Sequence, residues 1–148
     1  MMPAMALDWT ESIDTLDWDE LEALYRAAPL GHKTADHLRI AFSNSRHVCL
    51  VRDAGQLVGA GRALADGVDA AYLCDIAVRP SHQGTGLGQA IVQQLLQRVA
   101  GHQKILLYAV PGKEPFYARF GFRRMKTAMA LFRHPEAAWQ RGHLLDPP

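Results

Sequence analysis

The chain has 148 residues, of which 49% are hydrophobic and 21% are charged, and its formal net charge is +1. This length is typical of one domain, and a chain of this size can bury about two-thirds of its unfolded surface without disulfides or bound metals. We therefore predict a single domain over residues 1–148. The sequence lacks the basic excess of a nucleic-acid-binding protein, and no apolar run approaches the roughly 18 residues of a membrane span. Neither nucleic acid nor membrane is an expected partner.

The cysteines favour a reducing environment. Cys49 and Cys74 each lie in an apolar run that predicts a strand. Buried thiols of this kind are more often small core residues than a disulfide or a metal pair, and the sequence has no CxxC motif or Cys/His cluster at ligand spacing. Residues 1–12 also lack the basic and apolar regions of a secretory signal. We therefore predict a cytoplasmic location.

The first half of the chain changes from a helical to an extended pattern. Residues 4–9 predict a first strand. Asp17 is an N-cap for a helix that ends near Pro29, and Thr34 caps a second helix. Three alternating apolar runs separated by turn residues then predict antiparallel strands, at residues 47–52, 56–65 and 70–78.

The most informative stretch is residues 70–101. An apolar strand is stopped by Arg79-Pro80, and a loop with three glycines then opens an apolar-periodic helix for which Gly101 is the expected C-cap. Alternate glycines allow successive backbone N–H groups to converge on one ligand, and the first turn of a helix adds unpaired donors and a partial positive charge. The loop therefore predicts a site for a diphosphate.

Two familiar phosphate loops are disfavoured by the same residues. A P-loop requires a lysine after its last glycine, and this loop contains none. A dinucleotide-binding loop has the spacing G-x-G-x-x-G and an acidic residue about 20 positions later. Here the spacing is G-x-G-x-G, and the next carboxylate is Glu114.

The remaining pattern predicts a buried strand and a closing segment. Residues 104–110 form an apolar run that Pro111-Gly112 ends, and residues 114–119 predict a short helix. Residues 122–124 and 126–132 predict the last strands of the sheet.

The loop resembles a known family. The spacing of Gln83, Gly86 and Gly88 is similar to the Q/R-x-x-G-x-G/A pyrophosphate loop of the GNAT superfamily of acetyl-CoA-dependent N-acetyltransferases. The preceding residues 75–80 resemble the fourth strand of the family. Residues 115–122, PFYARFGF, resemble its tyrosine-containing helix and closing strand, and are most similar to the aralkylamine (serotonin-type) branch.

The resemblance implies a fold and a cosubstrate. The fold would be α/β (α+β), with a mixed, mostly antiparallel sheet, helices on both faces, and a splay between strands 4 and 5. Acetyl-CoA would be the cosubstrate, no metal would be required, and the acceptor would be a small-molecule primary amine. The backbone of strand 4 would pair with the pantetheine arm at Ile76, Ala77 and Val78. The loop residues that would bind the diphosphate are Gln83, Gly84, Thr85, Gly86, Leu87, Gly88 and Gln89.

Tyr117 is the candidate catalytic residue, because the family has a tyrosine at this motif position beside the CoA sulfur. A phenol within hydrogen-bond reach of that sulfur can protonate the departing thiolate. The alternative is that Tyr117 belongs to an aromatic core. The identity of the general base stays open. Tyr72 and Cys74 match positions where the aralkylamine branch has histidines, and strand alternation places Asp75 on the face opposite to them. A water relay, or an amine that arrives already neutral, would remove the need for a base.

Several histidines and arginines are further candidates. His32 and His37 flank the loop that borders the acceptor pocket in the family, although a solvated histidine at a helix end is commoner. His82, Arg79 and Arg119 are candidates for phosphate contacts, with exposed surface positions as the alternative.

Two other functions and one assembly remain open. A non-catalytic acyl-CoA sensor would retain the loop without needing Tyr117, and a protein lysine or N-terminal acetyltransferase would need an open groove. The last predicted strand and the apolar tail residues Trp139, Leu144 and Leu145 favour a homodimer.

Overall fold

Five strands form one sheet in the computed structural model, which describes residues 6–148. The strands lie in the order β1-β2-β3-β4-β5, and all neighbours are antiparallel except β4 and β5, which are parallel. The strands are β1 (Leu7–Thr10), β2 (His47–Asp53), β3 (Gln56–Ala65), β4 (Ala70–Val78) and β5 (Lys104–Leu106). The helices are α1 (Trp18–Ala27), α2 (Ala35–Ser43), α3 (Leu87–Arg98), α4 (Glu114–Ala118) and α5 (Pro135–Gln140). The predicted mixed, mostly antiparallel sheet is confirmed.

The described chain divides into two compact units. One unit ends at Leu107 and contains the sheet with α1, α2 and α3, and the other spans Tyr108–Pro148 and contains α4 and α5. The prediction of one domain over residues 1–148 stays a prediction. No helix among residues 6–148 is long and apolar enough to cross a lipid bilayer.

The first two helices begin where the sequence predicts them. The Asp17 side chain accepts hydrogen bonds from the amides of Asp19 and Glu20, and the Thr34 hydroxyl accepts one from the amide of His37. These bonds satisfy donors that a helix leaves unpaired at its start. Both helices pack their apolar side chains on one face of the sheet. The core there contains Leu21, Leu24, Tyr25, Leu38, Phe42, Leu50, Leu57, Ala60 and Ala77.

Glu20 joins α1 to the β2–β3 hairpin. One of its carboxylate oxygens lies 2.7 Å from Nη1 of Arg52, and the other accepts a hydrogen bond of 3.2 Å from the amide of Leu57. Arg52 also donates to the carbonyl of Gly55 in the hairpin turn. The acidic first turn of α1 therefore fixes the helix against the hairpin as well as complementing the helix dipole.

The other face of the sheet is covered by α3. A Cβ on Gly59 would lie 2.7 Å from Cδ1 of Ile91, and a Cβ on Gly61 would lie 3.0 Å from both Cγ2 of Ile91 and Cδ1 of Leu95. The two glycines of β3 thus allow α3 to approach the sheet closely, because any larger residue would displace the helix side chains. This packing sets the position of the helix start, where the glycine loop ends.

Three sequence predictions differ from the structure. β5 ends at Leu106 rather than at residue 110. The C-cap of α3 is Val99 rather than Gly101, which has φ of +96° two residues later. The predicted strands at residues 122–124 and 126–132 are wrong, since no residue there belongs to a strand. Met129 and Leu131 are 92% and 102% exposed. Alternating side chains favour an extended chain, but a strand also needs a partner's backbone.

The second unit packs around aromatic rings. Tyr108 makes edge contacts with Phe132 and His143 at centroid distances of 5.9 and 5.3 Å, and Phe132 stacks on His143 at 6.3 Å. Ala138 of α5 is fully buried. Aromatic pairs at these separations stabilise a small unit beyond the area they bury.

Candidate active site

β5 covers only the first part of β4, because β5 ends at Leu106. The last rung of their parallel ladder joins Tyr72 to Leu106. β4 continues to Val78 and remains paired with β3 on its other side. Residues 73–78, which include the predicted site residues Ile76 and Ala77, therefore present a backbone edge that β5 does not cover. Such an edge can pair with an extended ligand as it would with another strand.

A bulge interrupts β4 within this edge. Two residues, Asp75 and Ile76, lie opposite one residue of β3, Gly61. Asp75 has φ of +58°, in the left-handed region that side chains other than glycine rarely adopt. A bulge shifts the alternation of every later residue by one position relative to the partner strand. It therefore decides which side chains and which backbone groups point in each direction.

The sequence prediction that Asp75 and Cys74 lie on opposite faces is wrong for this reason. The Asp75 carboxylate bonds Arg62, which is the cross-strand partner of Cys74, so the three side chains share the face that α1 and α2 cover. Ile76 lies on the α3 face, where its Cδ1 is 2.8 Å from the position of a Cβ on Gly61. Strict alternation holds only in a strand without a bulge.

Three side chains converge on Asp75. Arg62 Nε donates to one carboxylate oxygen at 2.7 Å, and Lys33 Nζ lies 3.1 Å from the other. The hydroxyl of Tyr25 donates to the Asp75 carbonyl at 2.6 Å. Burial raises the pKa of Tyr25 well above its usual value, so the hydroxyl remains a donor. The sequence did not signal this cluster, because Arg62 and Tyr25 are 13 and 50 residues from Asp75.

The groups considered as general bases have little basic capacity here. Burial raises the pKa of the Cys74 thiol to about 11, so the thiol is protonated at neutral pH and cannot accept a proton. Both carboxylate oxygens of Asp75 are engaged by cations. Tyr72 is a half-buried phenol. Neither the Cys74 thiol nor the Asp75 carboxylate is therefore a ready proton acceptor in this structure.

The glycine loop connects the end of β4 to α3. Gly84 and Gly86 have φ of +77° and +89°, with open space where a Cβ would lie. Gly86 is the N-cap of α3 and offers no side chain to the helix start. The first bond of the helix runs from the amide of Ala90 to the carbonyl of Gly86, at 3.0 Å. The amides that precede this bond belong to Leu87, Gly88 and Gln89. They form the kind of helix start that binds anions.

Side chains of the loop are used mainly to hold its shape. Leu87 is buried under β3, near Gly59. The side-chain amide of Gln83 donates to the carbonyl of Val78 at 3.0 Å, and the Thr85 hydroxyl donates to the carbonyl of His82. Gly84, Thr85 and Gly86 are exposed. An anion bound at this loop would therefore accept hydrogen bonds mainly from backbone amides.

Two of the suggested phosphate ligands instead anchor the loop to the hairpin. His82 places one ring nitrogen 2.7 Å from the Asp53 carboxylate and the other 2.8 Å from the Ser81 hydroxyl. Arg79 donates from its amide and its Nε to carbonyls of β3, at 2.8 and 3.1 Å. Both ring nitrogens of His82 are engaged, so a phosphate contact by this side chain is not supported. Arg79 keeps the end of β4 against β3.

Tyr117 lies on α4 in the second unit. Its ring makes edge contacts with Phe116 at 5.0 Å and with Phe122 at 6.1 Å between centroids. The side chain is half-buried, and burial raises the pKa of its phenol. A phenol in this state is protonated across the neutral range and is available as a proton donor. Arg119, two residues later, is exposed.

Two histidine candidates lie at the surface, and the lining of a cleft in the described chain contains none of the predicted site residues. His32 and His37 are exposed. A cleft of about 360 Å³ is lined by Trp9, Thr10, Glu11, Ser12, Cys49 and Gln94. Among residues 6–148, no three His, Cys, Asp or Glu side chains are grouped as a metal site requires.

Comparison with protein families gives a match over most of the chain. The model that matches is described as an acetyltransferase (GNAT) domain, and it covers residues 26–130. Serotonin N-acetyltransferase 2, chloroplastic, from Oryza sativa subsp. japonica is 35% identical over 127 residues, which make up 80% of this chain and 64% of that protein. The chain thus spans less than two thirds of the length of this relative.

Solved structures have the same fold. A protein from Deinococcus radiodurans R1, named as a suspected acetyltransferase, has a TM-score of 0.79 at 24% identity, over 93% of this chain and 96% of its own. A GNAT family acetyltransferase from Brucella melitensis in complex with acetyl-CoA has a TM-score of 0.63 at 22% identity, over 81% of this chain and 84% of its own. At 24% and 22% identity, these similarities show that the fold is shared.

Proposed function

Because this chain belongs to the GNAT family of acetyltransferases, we propose that it transfers the acetyl group of acetyl-CoA to a primary amine by direct attack in a ternary complex. The observation that carries the proposal is the open edge of β4 that leads directly into the glycine loop at the start of α3. One extended, anionic ligand fits both parts. CoA is such a ligand, since it joins a diphosphate to a long arm rich in amide groups.

Each part of the edge and loop has a proposed role. The backbone amides from Gly84 to Gln89 bind the diphosphate, supported by the open space at Gly84 and Gly86. Gln83 supports the turn before them, because its backbone and side-chain amides donate to the carbonyls of Pro80 and Val78. Backbone groups of Ile76 and Val78 pair with the pantetheine arm as a strand would, whereas those of Ala77 face Ala60 of β3. A backbone N–H of β4 near Ile76 polarises the thioester carbonyl, and so stabilises the oxyanion that forms on attack.

The chemistry requires two proton transfers. The amine nitrogen attacks the thioester carbonyl carbon, the C–S bond breaks, and the thiolate takes a proton from the Tyr117 hydroxyl. The nitrogen loses its proton to water, because the Cys74 thiol is protonated and the Asp75 carboxylate is paired. An acceptor that reaches the site as a neutral amine avoids the need for a strong base.

An amine panel with acetyl-CoA tests this function. We expect thiol release with at least one small primary amine, and arylalkylamines such as serotonin enter the panel because of the Oryza relative's name. Release only with peptides that offer a lysine or a free N-terminus would instead favour a protein acetyltransferase. Tight CoA binding without release on any acceptor would favour a sensor.

The first variant tests the loop. Gly86→Val adds a side chain at the helix start and should weaken CoA binding about tenfold or more, equivalent to ~1.4 kcal/mol. Gly55→Val is the matched control, since Gly55 also has a left-handed φ, of +83°, and open space, but lies in the β2–β3 turn. Calorimetry with CoA gives both affinities. Equal affinities for the two folded variants would mean that Gly86 serves the turn alone.

The second variant tests the proton donor. Tyr117→Phe retains the ring contacts and removes the hydroxyl, so kcat should fall by ~10²-fold with little change in the dissociation constant of acetyl-CoA. The loss should shrink at low pH, where solvent supplies the proton. Phe116→Leu is the control for ring packing, because it disturbs the same aromatic contacts but retains the hydroxyl. Near-wild-type kcat from pH 6 to 9 in Tyr117→Phe would return this residue to the aromatic core.

The assembly belongs to the same proposal. We propose that the protein is a cytoplasmic homodimer that buries residues 125–131, where exposed apolar side chains follow one another without strand partners in the described chain. Light scattering at micromolar concentration should give the mass of two chains. Leu131→Glu should give monomers, whereas Val68→Glu, at a site 70% exposed in the first unit, should not. A monomeric wild-type protein would count against the dimer.

A further inference from the structure

Asp75 has an unfavourable backbone conformation inside a strand. Among residues 6–148, only Ala54 and Asp75 combine a positive φ with a side chain other than glycine's. Ala54 lies in the β2–β3 turn, where such a conformation is common. Asp75 lies in β4, three residues beyond the last rung that joins β4 to β5. A conformation of this kind persists only where the surroundings impose it.

The surroundings of Asp75 supply that constraint from three elements. Tyr25 of α1 holds the carbonyl of Asp75 at 2.6 Å and is fully buried. Arg62 of β3 and Lys33 of the segment before α2 hold the carboxylate at 2.7 and 3.1 Å. Arg62 is itself held at 3.3 Å by the Ser45 hydroxyl. Backbone and side chain are therefore fixed separately.

The constraint reaches the open edge of the strand. In a strand, the backbone groups of successive residues point to alternate sides. The two-for-one register at Asp75 changes which residues after it direct their N–H groups to β3 and which direct them to the open edge. The residues so affected are Ile76, Ala77 and Val78.

We propose that Asp75 is a positioning residue whose left-handed backbone, held by Tyr25, Arg62 and Lys33, directs the N–H groups of Ile76 and Val78 to the acyl-CoA thioester and arm, while Ala77 pairs with β3. This inference rests on the proposed function. The side chain of Asp75 acts through the backbone and touches neither the amine nor the acetyl group. Its carboxylate is the centre of an ion-paired cluster rather than a general base.

Two variants of Asp75 separate the effect of its backbone conformation from the effect of its carboxylate. Asp75→Gly and Asp75→Ala both remove the carboxylate, but glycine adopts the left-handed conformation readily and alanine does not. We expect kcat to be at least about tenfold higher for Asp75→Gly than for Asp75→Ala. Hydrogen exchange is the second readout: CoA should protect the amides of residues 73–78 in the wild type and in Asp75→Gly, but not in Asp75→Ala.

Tyr25→Phe covers the case in which Asp75→Ala does not fold. It removes the hydroxyl that holds the Asp75 carbonyl while retaining the buried ring, and should lower both kcat and the protection by CoA. A purely structural role would lower the melting temperature of the variants and leave kcat and protection unchanged in the folded fraction.

The outcomes distinguish this inference from the function on which it rests. Equal loss of kcat in Asp75→Gly and Asp75→Ala would mean that the carboxylate itself acts, and would overturn the positioning role. Unaltered kcat and protection in Asp75→Ala or in Tyr25→Phe would overturn it as well. A wild-type protein without turnover would overturn the proposed function alone, because exchange with CoA would still decide the inference. A wild type that CoA does not protect would overturn both.

Discussion

The left-handed backbone at Asp75 is the constraint on which the rest of the site depends. It lies in the one stretch of β4 that β5 leaves uncovered, and it shifts the alternation of the residues that follow. The cost of such a conformation is of order 1–3 kcal/mol. The fully buried Tyr25 and two cations offset it.

A second constraint sets where the glycine loop lies. Gly59 and Gly61 of β3 allow α3 to pack closely on the sheet, so the helix start is fixed relative to the end of β4. His82 and Arg79 tie the intervening turn to the β2–β3 hairpin. The loop is thus held by the packing of α3 on β3 and by the hydrogen bonds of His82 and Arg79 to the hairpin. Its amides can remain unpaired because other atoms hold the backbone in place.

Charge in the cluster limits the chemistry available to the site. Lys33 and Arg62 together outnumber the one carboxylate they share, so the face of β4 that carries Cys74 has no anion to spare for an ammonium group. Desolvation also keeps the Cys74 thiol protonated. Neither the Cys74 thiol nor the ion-paired Asp75 carboxylate is therefore a ready proton acceptor in this structure.

The sequence by itself determined the local elements and the loop. The caps at Asp17 and Thr34, the hairpin, the strand into Gly84 and Gly86, and the family follow from residues near one another in the chain, because capping, turn geometry and periodicity are local effects. The position of Tyr117 in a short helix was also predictable from its motif.

Only the tertiary structure decided which face of the sheet each side chain of β4 occupies and which residues contact Asp75. It also decided that residues 122–132 form no closing strand within the described chain. The bulge depends on a pairing register between two strands, and its support comes from Tyr25, 50 residues away. Likewise, alternating side chains around Met129 indicate an extended chain but do not provide the neighbouring backbone that would make it a strand. Contacts between distant residues depend on the whole fold, and the pattern of nearby residues does not encode them.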